Sequence, residues 1–424
     1  MNLTESLKDI FDISQYIGTP AFCGLRTNPI KQVDSLPFEL KPCPFFKDGY
    51  YINESEKTGN HPLHFAGAYY LQEPSAMSAL SALQVQKDDV VLDMCAAPGS
   101  KATAIAAMCK MLVANEYTHA RVGALIGNIE RMGISNALVL NSDSAAVGDA
   151  FLGYFDKVLV DSPCSGEGMF RKHPEIVTDW TPELVTMCAE RSKEVLSNAA
   201  KALKQGGRLV YSTCTYNLEE NEKVIIDFLE SHPDFEIADT GLDFGQKGLL
   251  GLSQTRRITV SDGGEGHFVC ALKRVGAPDI RYLKPFKLNF KFNALEGIVK
   301  APPEFLQGGD YGILEFGDAL YAVLKDMPNP KGVRIMRAGV KLGAMNFKTF
   351  KPDHHLFMAL KNDSFLNSFE VSEQDALRFY RGEALPCPAD IKGYTAITHK
   401  GLCIGFAKAS GGQLKNHLPK GLRI

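Results

Sequence analysis

The feature that most constrains the fold is an alternation of short apolar runs with helical segments between residues 86 and 275. The apolar runs predict strands at 90–92, 111–115, 137–140, 157–161, 208–212 and 267–272. Helical patterns lie between them, at 101–110, 183–204 and 219–231. This alternation is typical of βαβ units, in which helices cover both faces of a parallel sheet. The chain therefore predicts an α/β fold with a doubly wound sheet.

Two further regions flank this sheet domain. Residues 1–85 mix a short helical pattern with proline-rich segments, which indicates a small N-terminal α+β region. Residues 283–424 contain short strand patterns separated by glycine and proline turns, which indicates a β-rich C-terminal region. A chain of 424 residues is long enough for this arrangement.

The cysteine pattern and the apolar runs indicate the cellular compartment in which the protein is expected. The chain has 10 cysteines but no CxxC pair, so neither a metal site nor a secreted disulfide framework is indicated. It has no apolar run of the roughly 18 residues that a membrane span needs, and its N-terminus lacks a signal-peptide pattern. We therefore expect a protein of the reducing cytoplasm, without a membrane partner. Four cysteines lie among apolar residues and are expected to be buried: Cys109, Cys188, Cys270 and Cys403.

The net charge of −3 argues against a general nucleic-acid binder when it is taken as a whole. The charge is unevenly distributed, however. Residues 86–282 hold 20 Lys and Arg against 27 Asp and Glu, whereas residues 283–424 hold 20 against 13. A basic region attached to an acidic body is consistent with a polyanionic partner, and equally with an unevenly charged, solvated surface.

The turn after the first predicted strand has the composition of a ligand-binding turn. It runs from Cys95 to Lys101, and its small residues allow a ligand to approach the backbone closely. Glu116 ends the second strand, where a carboxylate can accept both ribose hydroxyls, and Asp143 follows the third. Three successive strands with polar ends predict a site for an adenosine-containing cofactor.

Two cysteines follow the next two strands. Cys164 lies in a turn that begins at Asp161, and Cys214 lies in a Ser/Thr-rich turn after the fifth strand. Because parallel strands end at the same edge of a sheet, both thiols are expected in one crevice. Such a site suits methylation at carbon 5 of a pyrimidine, which requires a thiolate to add to carbon 6 first, with an acid near ring nitrogen 3.

These segments resemble the NOL1/NOP2/Sun family of S-adenosylmethionine-dependent RNA 5-methylcytosine methyltransferases. The matching segments are YYLQEPSAM at 69–77, LDMCAAPGSKAT at 92–103, DSPCSGEGMFRKHPE at 161–175, YSTCTYNLEENE at 211–222 and GEGHFVCALKR at 264–274. GGQLKNHLPKGLR at 411–423 resembles the end of the bacterial RsmF-type subgroup, which acts on 16S ribosomal RNA. The resemblance implies a Rossmann-like methyltransferase domain over 86–275, an N-terminal RNA-binding region, and a C-terminal RNA-binding region ending in a PUA-like module.

The resemblance also implies roles for individual residues. Cys214 corresponds to the covalent nucleophile and Cys164 to the residue needed for product release, while Asp161 and Lys101 complete the catalytic group. The implied cofactor contacts are Cys95, Ala96, Ala97, Pro98, Gly99, Ser100, Lys101, Glu116, Arg121, Asp143 and Asp161. Ser100 stands where the family usually has glycine, which is tolerable if its backbone φ is negative.

Several alternatives are open at this point. DNA cytosine-5 methyltransferases use the cysteine of a Pro-Cys turn, which would favour Cys164 as nucleophile, and spacing alone does not choose between the two thiols. An amino methyltransferase would leave Cys214 without a role. A non-catalytic assembly factor would be expected to have lost one or both site cysteines, and this chain retains both. The expected partner is ribosomal RNA or the small ribosomal subunit, contacted in part by Lys415, His417, Lys420 and Arg423. We expect a monomer without a metal ion.

Overall fold

The computed structural model describes residues 2–277, 281–289, 293–300, 310–346 and 349–424. The N-terminal region contains a four-stranded antiparallel sheet of order β2-β3-β1-β4. Its elements are α1 (Leu3–Leu7), β1 (Gly24–Thr27), β2 (Lys41–Pro42), β3 (Gly49–Tyr51), α2 (Pro62–Phe65), β4 (Tyr69–Leu71) and α3 (Ser78–Leu83). This agrees with the predicted α+β region.

The central domain has the predicted α/β alternation. Its first half comprises β5 (Val90–Asp93), α4 (Ser100–Met108), β6 (Met111–Asn115), α5 (His119–Arg131), β7 (Ala137–Leu140), α6 (Ser144–Ala150) and β8 (Phe155–Asp161). Its second half comprises α7 (Glu175–Asp179), α8 (Pro182–Ala202), β9 (Leu203–Thr213), α9 (Glu222–Ser231), β10 (Phe235–Ala238), β11 (Gln246–Lys247), β12 (Arg256–Ile258) and β13 (His267–Arg274). All six predicted strands are present.

The order of the strands explains where a site can form. Strands β7, β6, β5, β8 and β9 are parallel neighbours in that order, and β13 pairs antiparallel with β9. The order reverses between β5 and β8, on either side of the first strand of the domain. In open α/β sheets, ligands bind beyond the carboxyl ends of the strands at such a reversal.

Both faces of the sheet are covered by apolar side chains, as a buried parallel sheet requires. Successive residues of β8 point to opposite faces: Val158 joins the cluster under α8, and Leu159 joins the cluster under α4 and α5. The four cysteines expected among apolar residues, Cys109, Cys188, Cys270 and Cys403, are buried. The core thus fixes the strands whose ends carry the candidate site.

The C-terminal region contains two more sheets. Its elements are β14 (Tyr311–Phe316), β15 (Ala319–Leu324), β16 (Ile335–Ala338), β17 (Val340–Asn346), β18 (Thr349–Pro352), α10 (His354–Ala359), β19 (Ser368–Glu370), α11 (Glu373–Tyr380), β20 (Leu385–Pro386), β21 (Gly393–His399), β22 (Leu402–Ser410) and β23 (Gln413–Asn416). One sheet has the order β14-β15-β17-β18, and the other has the order β19-β21-β22-β23-β20. The region is β-rich, as predicted.

One strand of this region belongs to the central sheet. β16 pairs antiparallel with β7 and brings Ile335 opposite Leu140, so it forms the end of the ten-stranded sheet. The sequence pattern placed this segment in a separate region, because local periodicity does not reveal which distant strand a short segment joins. Within the described residues, no helix is long and apolar enough to cross a membrane.

Candidate active site

The turn between β5 and α4 requires glycine at position 99 for its backbone conformation and for its packing against α5. Gly99 has a backbone φ of +110°, a conformation that favours glycine, and a Cβ there would lie 3.3 Å from Leu125 Cδ1. Ser100 is the first residue of α4, and its backbone φ is not positive. The serine is therefore compatible with the turn, and the first amide groups of the helix point toward the crevice.

Side chains from α5 hold this turn from the outside. Arg121 Nη2 donates to the Ala97 carbonyl over 2.6 Å, and Asn128 Nδ2 donates to the Pro98 carbonyl over 2.9 Å. Arg121 also lies 3.5 Å from Glu116 Oε2. Arg121 is thus placed to position the turn and Glu116.

Asp93, the last residue of β5, is a buried carboxylate aimed into the same region. It is 1% exposed, and neither side-chain oxygen has a hydrogen-bond partner among the described residues. Burial and the neighbouring charge of Asp161 raise the pKa of Asp93 to about 7. An unpaired carboxylate at this depth is the kind of group that a ligand's ammonium would satisfy.

The ends of β6 and β7 carry the other two predicted acids. Glu116 is 3% exposed, and its Oε1 accepts from the Thr118 amide over 2.8 Å. Asp143 is exposed and caps α6, because its Oδ1 accepts from the Ala146 amide over 2.8 Å. Asn115 joins the two strand ends by donating to the Ser142 carbonyl over 3.0 Å. Both acids therefore stand at the predicted edge of the sheet.

Asp161 and Lys101 form an ion pair in the centre of the crevice. Lys101 Nζ lies 2.7 Å from Asp161 Oδ2, and Ser212 Oγ donates to Asp161 Oδ1 over 2.8 Å. Burial opposes ionisation of Asp161, but Lys101 and the nearby His267 outweigh it and hold its pKa below the ordinary value. Burial likewise opposes the charge of Lys101, whose pKa is nevertheless raised by Asp161. Both groups are therefore charged near neutral pH.

The two predicted site cysteines face each other. Cys164 Sγ and Cys214 Sγ are 3.4 Å apart, and both residues are partly exposed. The hydrogen bond with Cys214, together with burial, raises the pKa of the Cys164 thiol well above its ordinary value. One thiol of the pair can therefore donate its S–H to the sulfur of the other.

A buried glutamate fixes the turn that carries Cys214. Glu167 is fully buried; its Oε2 accepts from Thr215 Oγ1 over 2.6 Å and from the Tyr216 amide over 2.9 Å. Its Oε1 accepts from Trp180 Nε1 over 2.8 Å. Because Glu167 itself lies in the turn that follows Cys164, this carboxylate joins the two thiol turns.

A second buried glutamate joins them from the other side. Glu220 accepts from the Ser165 amide over 2.8 Å and from Asn217 Nδ2 over 2.6 Å. Burial raises the pKa of Glu220 to about 7. Gly168 completes the junction, since its amide donates to the Cys214 carbonyl over 2.9 Å and a Cβ there would lie 2.8 Å from the Gly266 carbonyl oxygen.

The structure thus places several residues at the site that were not singled out from the sequence. Asp93, Glu167 and Glu220 all lie within the quoted motifs, so the motifs marked the segments without revealing these residues' contacts. His267, in the GEGHF motif, lies with Nε2 3.8 Å from Asp161 Oδ1, and burial lowers its pKa to about 4. His267 is therefore a neutral imidazole beside the ion pair.

The residues present fit S-adenosylmethionine. The unpaired carboxylate of Asp93 suits the ammonium of its methionine moiety, and the Gly99 turn allows close approach of the backbone. Glu116 and Asp143 offer acceptors for ribose hydroxyls and an adenine amino group. The residues that the structure describes include no group of three or more His, Cys, Asp or Glu side chains that could hold a metal ion.

The predicted C-terminal RNA contacts differ in character. Lys415 and Lys420 are exposed. His417 packs beside Tyr394 and Phe406, and burial lowers its pKa, so it carries no charge near neutral pH. Arg423 is exposed but donates to the Leu418 carbonyl over 3.1 Å. The two lysines are therefore better placed than His417 to meet phosphates.

Comparison with known families divides the chain into four matched segments. Residues 80–273 match the 16S rRNA methyltransferase RsmB/F family, and residues 3–74 match the N-terminal domain of 16S rRNA methyltransferase RsmF. Residues 303–360 match the RsmF rRNA methyltransferase first C-terminal domain, and residues 366–424 match the methyltransferase RsmF PUA domain. The PUA match confirms the predicted module at the C-terminus.

Curated relatives align with most of the chain. The chain is 32% identical to ribosomal RNA small subunit methyltransferase F of Aliivibrio fischeri over 406 residues, which cover 91% of this chain and 86% of the relative. Identity to the protein of the same name from Escherichia coli O127:H6 is 32%, over 90% of this chain and 85% of the relative.

A solved methyltransferase homolog from Pyrococcus horikoshii shares 27% identity at a TM-score of 0.55, covering 62% of this chain and 90% of that one. NSun6 from the same organism, solved with SFG, shares the fold at a TM-score of 0.57 and 19% identity, over 65% of this chain and 98% of that one. These findings confirm the Rossmann-like methyltransferase fold, and the family match is consistent with S-adenosylmethionine as the cofactor. With matched segments along most of its length, the chain belongs to the family of ribosomal RNA small subunit methyltransferase F.

Proposed function

We propose that this protein methylates carbon 5 of a cytosine in small-subunit ribosomal RNA, through a covalent bond between Cys214 and carbon 6. The observation that carries the proposal is the pair of thiols at 3.4 Å beside the Lys101–Asp161 ion pair. Methylation of an exocyclic nitrogen needs no thiol, so that reaction would leave both cysteines without a role.

The surroundings of the pair support Cys214 as the nucleophile. The hydrogen bond between the two sulfurs and burial raise the pKa of the Cys164 thiol, which disfavours Cys164 as the thiolate. A thiol that donates to a neighbouring sulfur stabilises that neighbour as the thiolate, which is the reactive form. Lys101 adds a positive charge close enough to Cys214 for the two groups to interact electrostatically.

Asp161 and Lys101 can hold the pyrimidine edge. An ionised Asp161 accepts hydrogen bonds, so it suits the exocyclic amino group of cytosine and is not itself a proton donor. Lys101 is a donor and can stabilise the negative charge that develops on the ring when a thiolate adds to carbon 6. The sequence predicted an acid near ring nitrogen 3. In the proposed arrangement Asp161 is ionised, and Lys101 supplies the positive charge that stabilises the ring.

The proposed reaction has two stages. The Cys214 thiolate forms a bond to carbon 6, and the electron pair displaced into the ring, stabilised by Lys101, makes carbon 5 nucleophilic. S-adenosylmethionine would supply the methyl group to carbon 5, with its sulfonium–methyl bond breaking to leave S-adenosylhomocysteine. A base then removes the carbon-5 proton, and the electron pair of that bond expels the Cys214 sulfur. Cys164 lies beside the carbon–sulfur bond and assists its breakage.

We also propose the site residues for the cofactor. Asp93 and the turn from Cys95 to Ser100 would hold the methionine moiety, with Glu116 at the ribose and Asp143 at the adenine. Arg121 would act through the Ala97 carbonyl and Glu116, so it is a positioning residue. The choice of RNA as substrate rests on the similarity to ribosomal RNA small subunit methyltransferases and on the basic C-terminal region.

The experiment that tests the proposal compares two single variants. Cys164→Ala should still attack RNA and accumulate a protein–RNA adduct in the presence of S-adenosylmethionine, because release is impaired. Cys214→Ala should form no adduct and should transfer no labelled methyl group. The readouts are a denaturing gel for the adduct and mapping of the methylated base by bisulfite sequencing.

Cys188→Ala is a control, since Cys188 is a buried cysteine of helix α8. It should methylate RNA like the unmodified protein. An adduct in Cys214→Ala but none in Cys164→Ala would reverse the assignment of the two thiols. Methylation mapped to an exocyclic nitrogen would overturn the proposed reaction.

A further inference from the structure

A groove beside β16 lies outside the site described above. Its cavity of about 620 Å³ is lined by residues of β14, β15 and β16 and by residues 284–287 and 329–331. β16 begins beside the carboxyl end of β7, where the Arg334 amide donates to Ser142 Oγ over 2.9 Å. One end of the groove therefore opens at the edge of the sheet that carries the candidate cofactor site.

The charge of the groove is positive. Lys284, Lys287 and Lys331 are exposed, and none of the three has an ion-pair partner among the residues that the structure describes. Glu315 is the acidic residue among the described lining residues, and its Oε1 lies 3.3 Å from Asn289 Nδ2. Arg337 also lines the groove, but it is neutralised by Glu130. Three unpaired lysines against one acid favour a polyanionic ligand.

Aromatic rings lie among these lysines. Phe316, the last residue of β14, is 76% exposed, so most of its ring is accessible to a ligand. Tyr321 lies in the same groove with the Arg337 guanidinium 5.9 Å from its ring centroid, and Phe286 completes the wall. Aromatic faces between basic side chains are the combination that binds unpaired bases and their phosphates.

We propose that this groove binds a single-stranded segment of the RNA substrate that flanks the target cytosine. The proposal rests on the proposed function, since it takes RNA as the substrate. β16 is four strand positions from β8, which corresponds to about 19 Å across the sheet at the usual strand spacing. A strand that occupies the groove therefore extends beyond the nucleotide in the crevice. Paired bases cannot stack on Phe316, so a duplex is excluded from this mode.

The test measures binding separately from methylation. The probe is a fluorescent single strand of about 12 nucleotides without cytosine, matched by the same strand in a duplex, and the readout is anisotropy with the full chain. Phe316→Ala should weaken single-strand binding about 10-fold, because stacking contributes roughly 1–3 kcal/mol per base. Replacing Lys284, Lys287 and Lys331 by alanine should lower the salt dependence by about 2 in the slope of log K against log salt.

Lys247→Ala is the matched control, since Lys247 is an exposed lysine on β11 at the opposite end of the same sheet. It should leave both affinity and salt slope unchanged. Equal affinity of Phe316→Ala and the unmodified protein for the single strand would overturn the proposal, as would an equal loss for the duplex. The groove proposal would also be overturned if both groove variants bound RNA with unchanged affinity while an acidic peptide bound to the groove in a competition assay.

The two proposals fail in different ways. If no 5-methylcytosine forms but the groove variants bind single-stranded RNA more weakly, the groove proposal is supported and the proposed reaction is refuted. If 5-methylcytosine forms at the normal rate and the groove variants bind RNA normally, the groove proposal alone falls. The exposure of Phe316 makes misfolding of its alanine variant a poor explanation for lost binding, and an unchanged thermal melt of each variant checks this directly.

Discussion

The two halves of the active-site edge are held in different ways. The thiol turns are joined from within by two buried carboxylates, Glu167 and Glu220, which accept hydrogen bonds from backbone amides and side chains. The cofactor turn, between β5 and α4, is contacted from outside by Arg121 and Asn128 of α5. Each of these side chains donates one hydrogen bond to a backbone carbonyl of the turn. The thiol turns are therefore joined by buried carboxylates. The cofactor turn has contacts from within, such as the hydrogen bond of Thr103 Oγ1 with the Gly99 carbonyl over 2.7 Å, but it is also held by side chains of α5 that are not buried.

The largest expected effect is that of Glu167→Gln. One oxygen of the carboxylate becomes an amide nitrogen that faces hydrogen-bond donors, so a buried donor loses its acceptor. We expect a loss of about 3 kcal/mol in the free energy of unfolding, measured by urea denaturation, and a marked fall in the rate of methylation. Glu175→Gln, on the exposed surface of α7, is the control and should change neither. A Glu167→Gln protein of normal stability would show that the thiol turns do not depend on this carboxylate.

The second prediction concerns pH. Burial raises the pKa of Glu220 from the ordinary glutamate value of 4.5 to about 7, so the folded state binds an extra proton between these values. Stability should therefore fall as pH rises from 4.5 to 7, and Glu220→Gln should remove this part of the decline, about 2 kcal/mol. The measurement is urea denaturation of both proteins across this pH range.

Glu219→Gln is the neighbouring control for this experiment. Its side chain is 53% exposed, and the stability profile of this variant should run parallel to that of the unmodified protein. If the stability of Glu220→Gln changed with pH in the same way as that of the unmodified protein, Glu220 would titrate normally in the folded protein. Glu220 would then not distinguish the two halves of the site.

The smallest effect on stability is expected for the cofactor turn. Asn128→Ala removes the hydrogen bond to the Pro98 carbonyl and the acceptor of two hydrogen bonds from Arg131, and should cost about 1–2 kcal/mol in stability. The affinity for S-adenosylmethionine, measured by calorimetry, should fall several-fold, while the adduct formed by a Cys164→Ala, Asn128→Ala double variant should persist at saturating cofactor. If Asn128→Ala instead destabilised the protein as strongly as Glu167→Gln, the two halves would be held alike.

Much of the fold was predictable because buried parallel strands are nearly continuous apolar runs. Val90–Asp93 and Phe155–Asp161 were visible for this reason, and their carboxyl ends identified the turns of the candidate site. Glu167 and Glu220 were not predicted, since their partners come from different turns that meet only in the folded chain. β16 was missed because four residues carry too little pattern to specify a distant partner strand.

The position of β16 has a consequence for how the protein is made. The strands of the sheet that carries the active site end at Arg274 of β13, apart from its edge strand β16. This strand, Ile335–Ala338, is translated about sixty residues later. Until that segment leaves the ribosome, β7 presents an open edge with unpaired backbone groups, which is a template for mispairing with other strands. Synthesis of the first C-terminal sheet is thus also the final step in closing the catalytic sheet, and a chain cut between Arg274 and Ile335 would expose that edge.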